Sequence, residues 1–113
     1  MSPFIQDEIY RIAREAIVNA FRHAKARNIE TQIKYEPNRI LLAVKDDGCG
    51  IDSGTLDSGS EGHWGLTGMR ERADSIGADL QVFSNANAGT EIELSVPGHI
   101  AFKLAPTRGA ADL

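Results

Sequence analysis

The sequence predicts a two-layer α/β sandwich, with helices packed on one face of a mixed, mostly antiparallel sheet and a flexible loop between its two halves. Three observations lead to that class. Helical periodicity appears in two separate stretches, one near the N-terminus and one after residue 65. Each is followed by strand-like segments joined by a short turn. Between the halves lies a polar stretch rich in glycine. Two helices can then cover one face of a sheet made from two hairpins. A doubly wound dinucleotide fold alternates single strands with helices instead.

The first helix is expected over about Phe4 to Arg27, started by Ser2-Pro3 and closed by Arg22, Lys25 and Arg27, whose charges suit the helix dipole. Its central stretch, Arg14 to Ala24, carries Glu15, Asn19 and His23 at successive four-residue spacing. At about 100° per residue, Asn19 falls roughly 40° and His23 roughly 80° from Glu15. Ile5, Ile9, Ile12 and Ala16 occupy the same sector. Asn19 and His23 therefore turn toward the apolar side, with Glu15 on its border. A polar group turned inward needs a partner. Either the protein supplies it, and these are satisfied buried residues, or a ligand does, with its metal and water.

Thr31 to Glu36 alternates and reads as a half-buried strand, with Thr31, Ile33 and Tyr35 on one face. Pro37-Asn38 is a two-residue turn. Arg39 to Lys45 is the next strand, and its run Ile40 to Val44 predicts burial on both faces. Asp46 to Trp64 breaks the pattern with five glycines, Gly48, Gly50, Gly54, Gly59 and Gly62, a length and composition typical of lids and binding loops. Leu66, Met69, Ala73 and Ile76 restore helical spacing, and Gly77 closes that helix. Leu80, Val82 and Phe83 form a third strand. After a turn at Asn85 to Gly89, Thr90 to Val96 alternates as a fourth, which Pro97 ends. The domain is expected over 1–97, and 98–113 as a tail packed in part through Ile100, Phe102 and Leu104.

The totals bound the function. At 113 residues with 42% hydrophobic content the chain makes one domain with a real core. Twelve basic against sixteen acidic residues give a net charge of −4, which argues against a nucleic-acid or anionic-membrane surface. No apolar run reaches membrane-spanning length, and the acidic N-terminus lacks a signal-peptide pattern. Cys49 stands alone, which excludes an internal disulfide and fits a reducing, cytoplasmic setting.

Asp46-Asp47-Gly48-Cys49-Gly50 leaves a buried strand directly. A carboxylate at a strand end beside two glycines suits a ligand lying against backbone, though the same residues make ordinary turns. Neither the dinucleotide Gly-x-Gly-x-x-Gly pattern nor a Gly-x-x-x-x-Gly-Lys-Ser/Thr phosphate loop is present, and the acidic spacing of a calcium loop is missing. Gly62 to Met69 leads into the second helix, where glycines expose free N–H groups and the positive dipole end to an anion. His23, His63 and His99 lack close ligand spacing, which argues against a zinc site. Gly89-Thr90 opens the last strand, with the Thr90 hydroxyl placed to share a cavity with Asp46.

Taken in order, these four segments resemble the ATP-binding catalytic domain of sensor histidine kinases. That family shares a superfamily with gyrase, heat-shock chaperones and mismatch-repair ATPases. The likeness runs from about Ile5 to Pro97. Arg14 to Ala24 looks like the family's N box, Asp46 to Ile51 its G1 box, Gly62 to Arg72 its G2 box, and Gly89-Thr90 its closing element. Gly62 to Ala73 is most similar to the subclass paired with helix-turn-helix response regulators. The F box of other subclasses is not evident in Asp52 to Glu61.

The resemblance implies a Bergerat-type ATP-binding fold with ATP and Mg²⁺ as cofactors. On it, Asn19 binds the Mg²⁺ that bridges the phosphates, and Asp46 accepts a hydrogen bond from the adenine amine, with Thr90 acting through water. Gly48 and Gly50 let the loop backbone pass the nucleotide. Gly65, Leu66 and Gly68 bring N–H groups to the phosphates, and Arg22, beside Glu15 on the wheel, meets them too. Glu15 supports the metal or polarises a nucleophile, and His23 packs behind the nucleotide site. The implied partners are a dimerisation domain of the same parent, carrying the phosphoacceptor histidine, and a downstream response regulator. The isolated domain is expected to be a monomer without nucleic-acid or membrane contact, and the parent a homodimer. The superfamily also holds anti-sigma serine kinases and small ATPases, and a third reading is a nucleotide-binding regulatory module without chemistry.

Overall fold

The computed structural model describes residues 2–50, 65–84 and 88–101, and of His23 the backbone alone. The expected lid over Asp52 to Trp64, including His63, therefore lies outside the described residues, as do the turn at 85–87 and the tail beyond Ala101. Helix α1 spans Pro3–Val18. Ser2 caps it, its Oγ accepting from the Ile5 N–H at 3.2 Å, and Pro3 enters at the first turn, where its missing N–H costs nothing. Strands β1 (Ile29–Glu36) and β2 (Arg39–Asp46) form a hairpin about Pro37-Asn38. The Arg39 Nε–Glu36 Oε1 ion pair of 2.7 Å brackets that turn. Helix α2 spans Leu66–Ser75 and stops at Gly77, whose φ of 71° a side chain would disfavour. Strands β3 (Asp79–Ser84) and β4 (Thr90–Pro97) make the second hairpin, and a short helix α3 (Gly98–Ala101) follows.

The sheet order is β1-β2-β4-β3. Ile40, Leu42 and Val44 of β2 lie opposite Val96, Leu94 and Ile92 of β4, and all six are buried. Ile12 and Ala16 of α1 and Leu66, Met69 and Ala73 of α2 close the core from above. Across the helix seam, Arg72 Nη1 donates to Glu8 Oε1 at 2.9 Å. This is the expected sandwich with both helices on one face. Among the described residues no helix is long and apolar enough to cross a membrane.

Four expectations need correction. The sheet is wholly antiparallel among the described residues, not mixed, because each neighbouring pair runs in opposite directions. Strand β2 is buried on one face only: Leu41 and Ala43 on the other are half-buried, and among the described residues no second layer covers that side. Strand β1 is exposed along most of its length, with Ile33 at 52% and Tyr35 at 73%. The helices lie over β2 and β3 and stop short of this edge. Finally, α-helical winding ends at Val18, well before Arg27. Asn19–His23 form a π turn, closed by the Ala24 N–H on the Asn19 carbonyl at 2.9 Å. Lys25 then takes a left-handed φ of 54° and the helix stops.

The packed unit continues past Pro97. Ala101 is buried, Ile100 packs against the core, and the Gly98 N–H donates to the Asn38 carbonyl at 2.7 Å.

Candidate functional site

The π turn is the first unusual feature of the site. A π turn inserts one surplus residue into a helix, and such insertions concentrate at functional positions. Here it begins at Asn19, which is buried at 6% exposure, and carries Arg22, which is exposed. Each residue of a π turn rotates less than in an α-helix. The wheel that set Arg22 beside Glu15 and His23 above Asn19 therefore does not hold past Asn19. Glu15 precedes the turn and keeps its place on the border of the core.

That border faces the start of α2. Gly65 has φ 71°, and a Cβ built there would stand 2.7 Å from Glu15 Oε2. Only glycine meets both conditions. As the cap of α2 it has no side chain to offer, so the first N–H groups of the helix keep their capacity for an anion. Leu66, wholly buried, anchors this end in the core, whereas a Cβ at Gly68 would meet only open space. Glu15, Gly65 and Gly68 share a cleft of about 450 Å³ along the α1–α2 seam, with Tyr10, Arg14 and Arg72 on its walls.

A second hollow lies at the end of the sheet. Asp46 and Thr90 are cross-strand partners on the core face of β2 and β4. With Ser84 and Gly89 they line a cavity of about 140 Å³. Asp46 Oδ1 accepts from the Gly48 N–H at 2.7 Å, which fixes one carboxylate oxygen against the loop that follows. Gly89 has φ 88°, and a Cβ there would collide with the Asp46 carbonyl oxygen. Thr90 is 8% exposed, and its Oγ1 lies 2.7 Å from Ser84 Oγ.

The segment after β2 is tied to the end of α1. A Cβ at Gly48 would stand 2.5 Å from both Cβ and O of Ala24, and the Cys49 N–H donates to the Ala24 carbonyl at 3.0 Å. Gly50 is buried with φ 75°. Asp47, which the sequence reading passed over, does most of the tying. Its Oδ1 accepts from the Arg27 and Asn28 N–H groups at 2.8 and 2.9 Å, and its Oδ2 from Asn28 Nδ2 at 2.8 Å. The Asn28 backbone bond, then the Asn28 side chain and the Arg27 N–H, hold the Asp47 carboxyl below its ordinary pKa of 3.8. The stability it contributes is therefore fully present above the ordinary value and is lost as pH falls through the depressed one. Asp47→Asn is expected to flatten the acid limb of an unfolding-versus-pH curve and leave its neutral limb parallel to wild type. An unchanged acid limb would contradict this.

Ser84 is the other residue missed. Its signal was a hydroxyl at a strand end facing Gly-Thr across the next turn, legible once the hairpin register is known.

Comparison with known proteins bears on the family and the fold. The family model described as "Histidine kinase-, DNA gyrase B-, and HSP90-like ATPase" matches residues 5–100. The sensor protein VraS of Staphylococcus saprophyticus is 38% identical over 93 residues, covering 82% of this chain and 26% of that protein. The sensor histidine kinase LiaS of Bacillus subtilis is 35% identical over 97 residues, 86% of this chain and 26% of the relative. The chain thus spans about a quarter of the length of these relatives. Among solved structures, the histidine kinase domain of the Erythrobacter litoralis EL346 blue-light activated histidine kinase superposes with a TM-score of 0.73 at 23% identity, covering 88% of this chain and 46% of that one. The ATP binding domain of PrrB from Mycobacterium tuberculosis gives 0.68 at 20% identity, over 80% and 67%. These two likenesses concern the fold.

Proposed function

Because the chain belongs to the histidine kinase-, DNA gyrase B- and HSP90-like ATPase family, we propose that it binds Mg-ATP and presents the γ-phosphate to a histidine in a separate helical domain of its parent protein, within a two-component system. The observation that carries the site assignment is the pairing of Asp46 with Thr90 at the sheet end, backed by a left-handed Gly89. It places a carboxylate and a hydroxyl side by side where a base edge needs polar partners. Asp46 accepts from the adenine amine, and Thr90 acts on the same edge through water. Gly48 and Gly50 carry the loop backbone past the nucleotide. Gly65, Leu66 and Gly68 offer N–H groups to the phosphates, and for Arg22, exposed on the π turn, only the family resemblance supports the same role.

Mg²⁺ suits this donor set. Among the described residues no group of three or more His, Cys, Asp or Glu side chains is placed to hold a metal. Mg²⁺ is commonly held by phosphates and water with one or two protein oxygens, and the Asn19 amide supplies such an oxygen. When bound, it neutralises phosphate charge. Glu15 lies one turn before Asn19 and against the cap of α2, where it would support the metal or polarise a nucleophile. Catalysis of this kind is positioning and charge stabilisation.

The relatives named as a sensor protein and a sensor histidine kinase favour a response regulator downstream over an anti-sigma serine kinase or a module without chemistry; a dimeric parent and a cytoplasmic site of action belong to the same proposal. Incubation with γ-labelled ATP is the test. The chain alone is expected to take up little label. With the parent's helical dimerisation domain added, acid-labile label should appear on that domain and vanish on chelation of Mg²⁺. Acid-labile label on this chain alone, or transfer indifferent to chelator, would refute the reading.

A further inference from the structure

Three arginines wall the cleft along the α1–α2 seam, and they are not equivalent. Arg11 Nε is paired with Asp7 Oδ2 at 2.8 Å, and Arg72 Nη1 with Glu8 Oε1 at 2.9 Å. Arg14 is exposed, and among the described residues no hydrogen bond or ion pair holds its guanidinium. Arg22, which helical periodicity set beside Glu15, sits on the π turn and is not among the walls of this cleft.

We infer that Arg14 is the cation that meets the γ-phosphate of ATP, and that it lets the site tell ATP from ADP. The inference rests on the nucleotide reading proposed above. Position along α1 decides which phosphate it meets. The chain leaving the π turn is tied to the end of β2, where Asp47 accepts from the Arg27 and Asn28 N–H groups, so this end of the helix lies beside Asp46. With the base at Asp46 and the metal at Asn19, the phosphates run back along α1 toward Gly65 and Gly68. A helix rises about 1.5 Å per residue, so Arg14 stands about 7.5 Å beyond Asn19. That places it at the far end of a triphosphate and not at its start.

Charge points the same way. Glu15 lies in this cleft against the cap of α2. Its carboxylate repels an arriving phosphate unless a cation offsets it. Arg11 and Arg72 are already engaged by carboxylates. Arg14 gives up no ion pair when it turns to phosphate, and its fork of N–H donors suits phosphate oxygens. The open space over Gly68 leaves room for the group it holds.

ADP lacks the γ-phosphate, so the ratio of Mg-ATP to Mg-ADP affinity isolates this contact. Calorimetric titration of the chain with each nucleotide measures it. Arg14→Ala is expected to lower the ratio about tenfold, through weaker ATP binding with ADP binding unmoved. Arg14→Gln, which removes the charge but keeps much of the stem, should lower it too. Arg14→Lys, which keeps the charge, should retain more of the wild-type ratio. Thermal unfolding checks that each variant stays folded. A merely structural role for Arg14 would weaken both nucleotides alike. A ratio unmoved in Arg14→Ala, or lowered in Arg22→Ala instead, overturns the inference while the nucleotide site stands. If the wild-type chain binds neither nucleotide, the proposed function itself fails and the Arg14 role with it.

Discussion

Asp46→Asn is expected to weaken ATP binding about 10²-fold, in line with the loss of a hydrogen bond to a charged acceptor worth up to about 3 kcal/mol. The size follows from a constraint in the structure. One carboxylate oxygen of Asp46 is already committed to the Gly48 N–H at 2.7 Å. An asparagine must keep its carbonyl oxygen on that N–H, because turning the amide would set donor against donor. Its NH₂ group is then forced toward the cavity, where it meets the amine of adenine. The substitution does more than remove a charge, because it inverts the polarity of the contact. GTP, with a carbonyl at that ring position, should lose less than ATP or gain. Titration with both nucleotides checks this, and unchanged ATP affinity would remove Asp46 from the site.

Gly89→Ala should be the most damaging single change to the scaffold of the site. A left-handed φ of 88° costs a non-glycine residue about 1–2 kcal/mol, and here the new Cβ also runs into the Asp46 carbonyl. Relief requires β2 and β4 to separate where Asp46 faces Thr90. A total of about 2–4 kcal/mol is expected, which lowers the melting temperature by roughly 10–20 °C for a domain of this size. Thermal unfolding followed by circular dichroism measures it. A transition unmoved from wild type would show that the turn can change conformation without strain.

Much of the architecture was legible because it depends on periodicity. The alternation in Thr90 to Val96 and the spacing of Leu66, Met69 and Ala73 each state which side chains face inward, and those side chains are buried. Alternation does not state whether a second layer exists to cover a face, which is why β1 was read as half-buried. The π turn left no trace, because Asn-Ala-Phe-Arg-His is as compatible with α winding as with π. At the site, the glycines announced themselves through the loop and strand ends that they occupy. Asp47 did not, since its partners Arg27 and Asn28 lie about twenty residues away in sequence and meet it only after β1 and β2 have paired. The pair proposed to read the base, Asp46 and Thr90, was visible as a carboxylate and a hydroxyl in two motifs. Their cross-strand pairing, and the part of Ser84 in it, needed the register.

The uncovered strand β1 governs how the chain behaves in bulk. Its eight residues pair on one side only among the described residues, and Ile33 and Tyr35 project from it largely exposed. Such an edge is a template for further strands, and charge along it is the usual deterrent to stacking. Glu30, Lys34 and Glu36 carry that burden here. This margin of the sheet therefore bears on colloidal stability at high protein concentration. Neutralising those three charges would trade solubility away while leaving the fold's interior untouched.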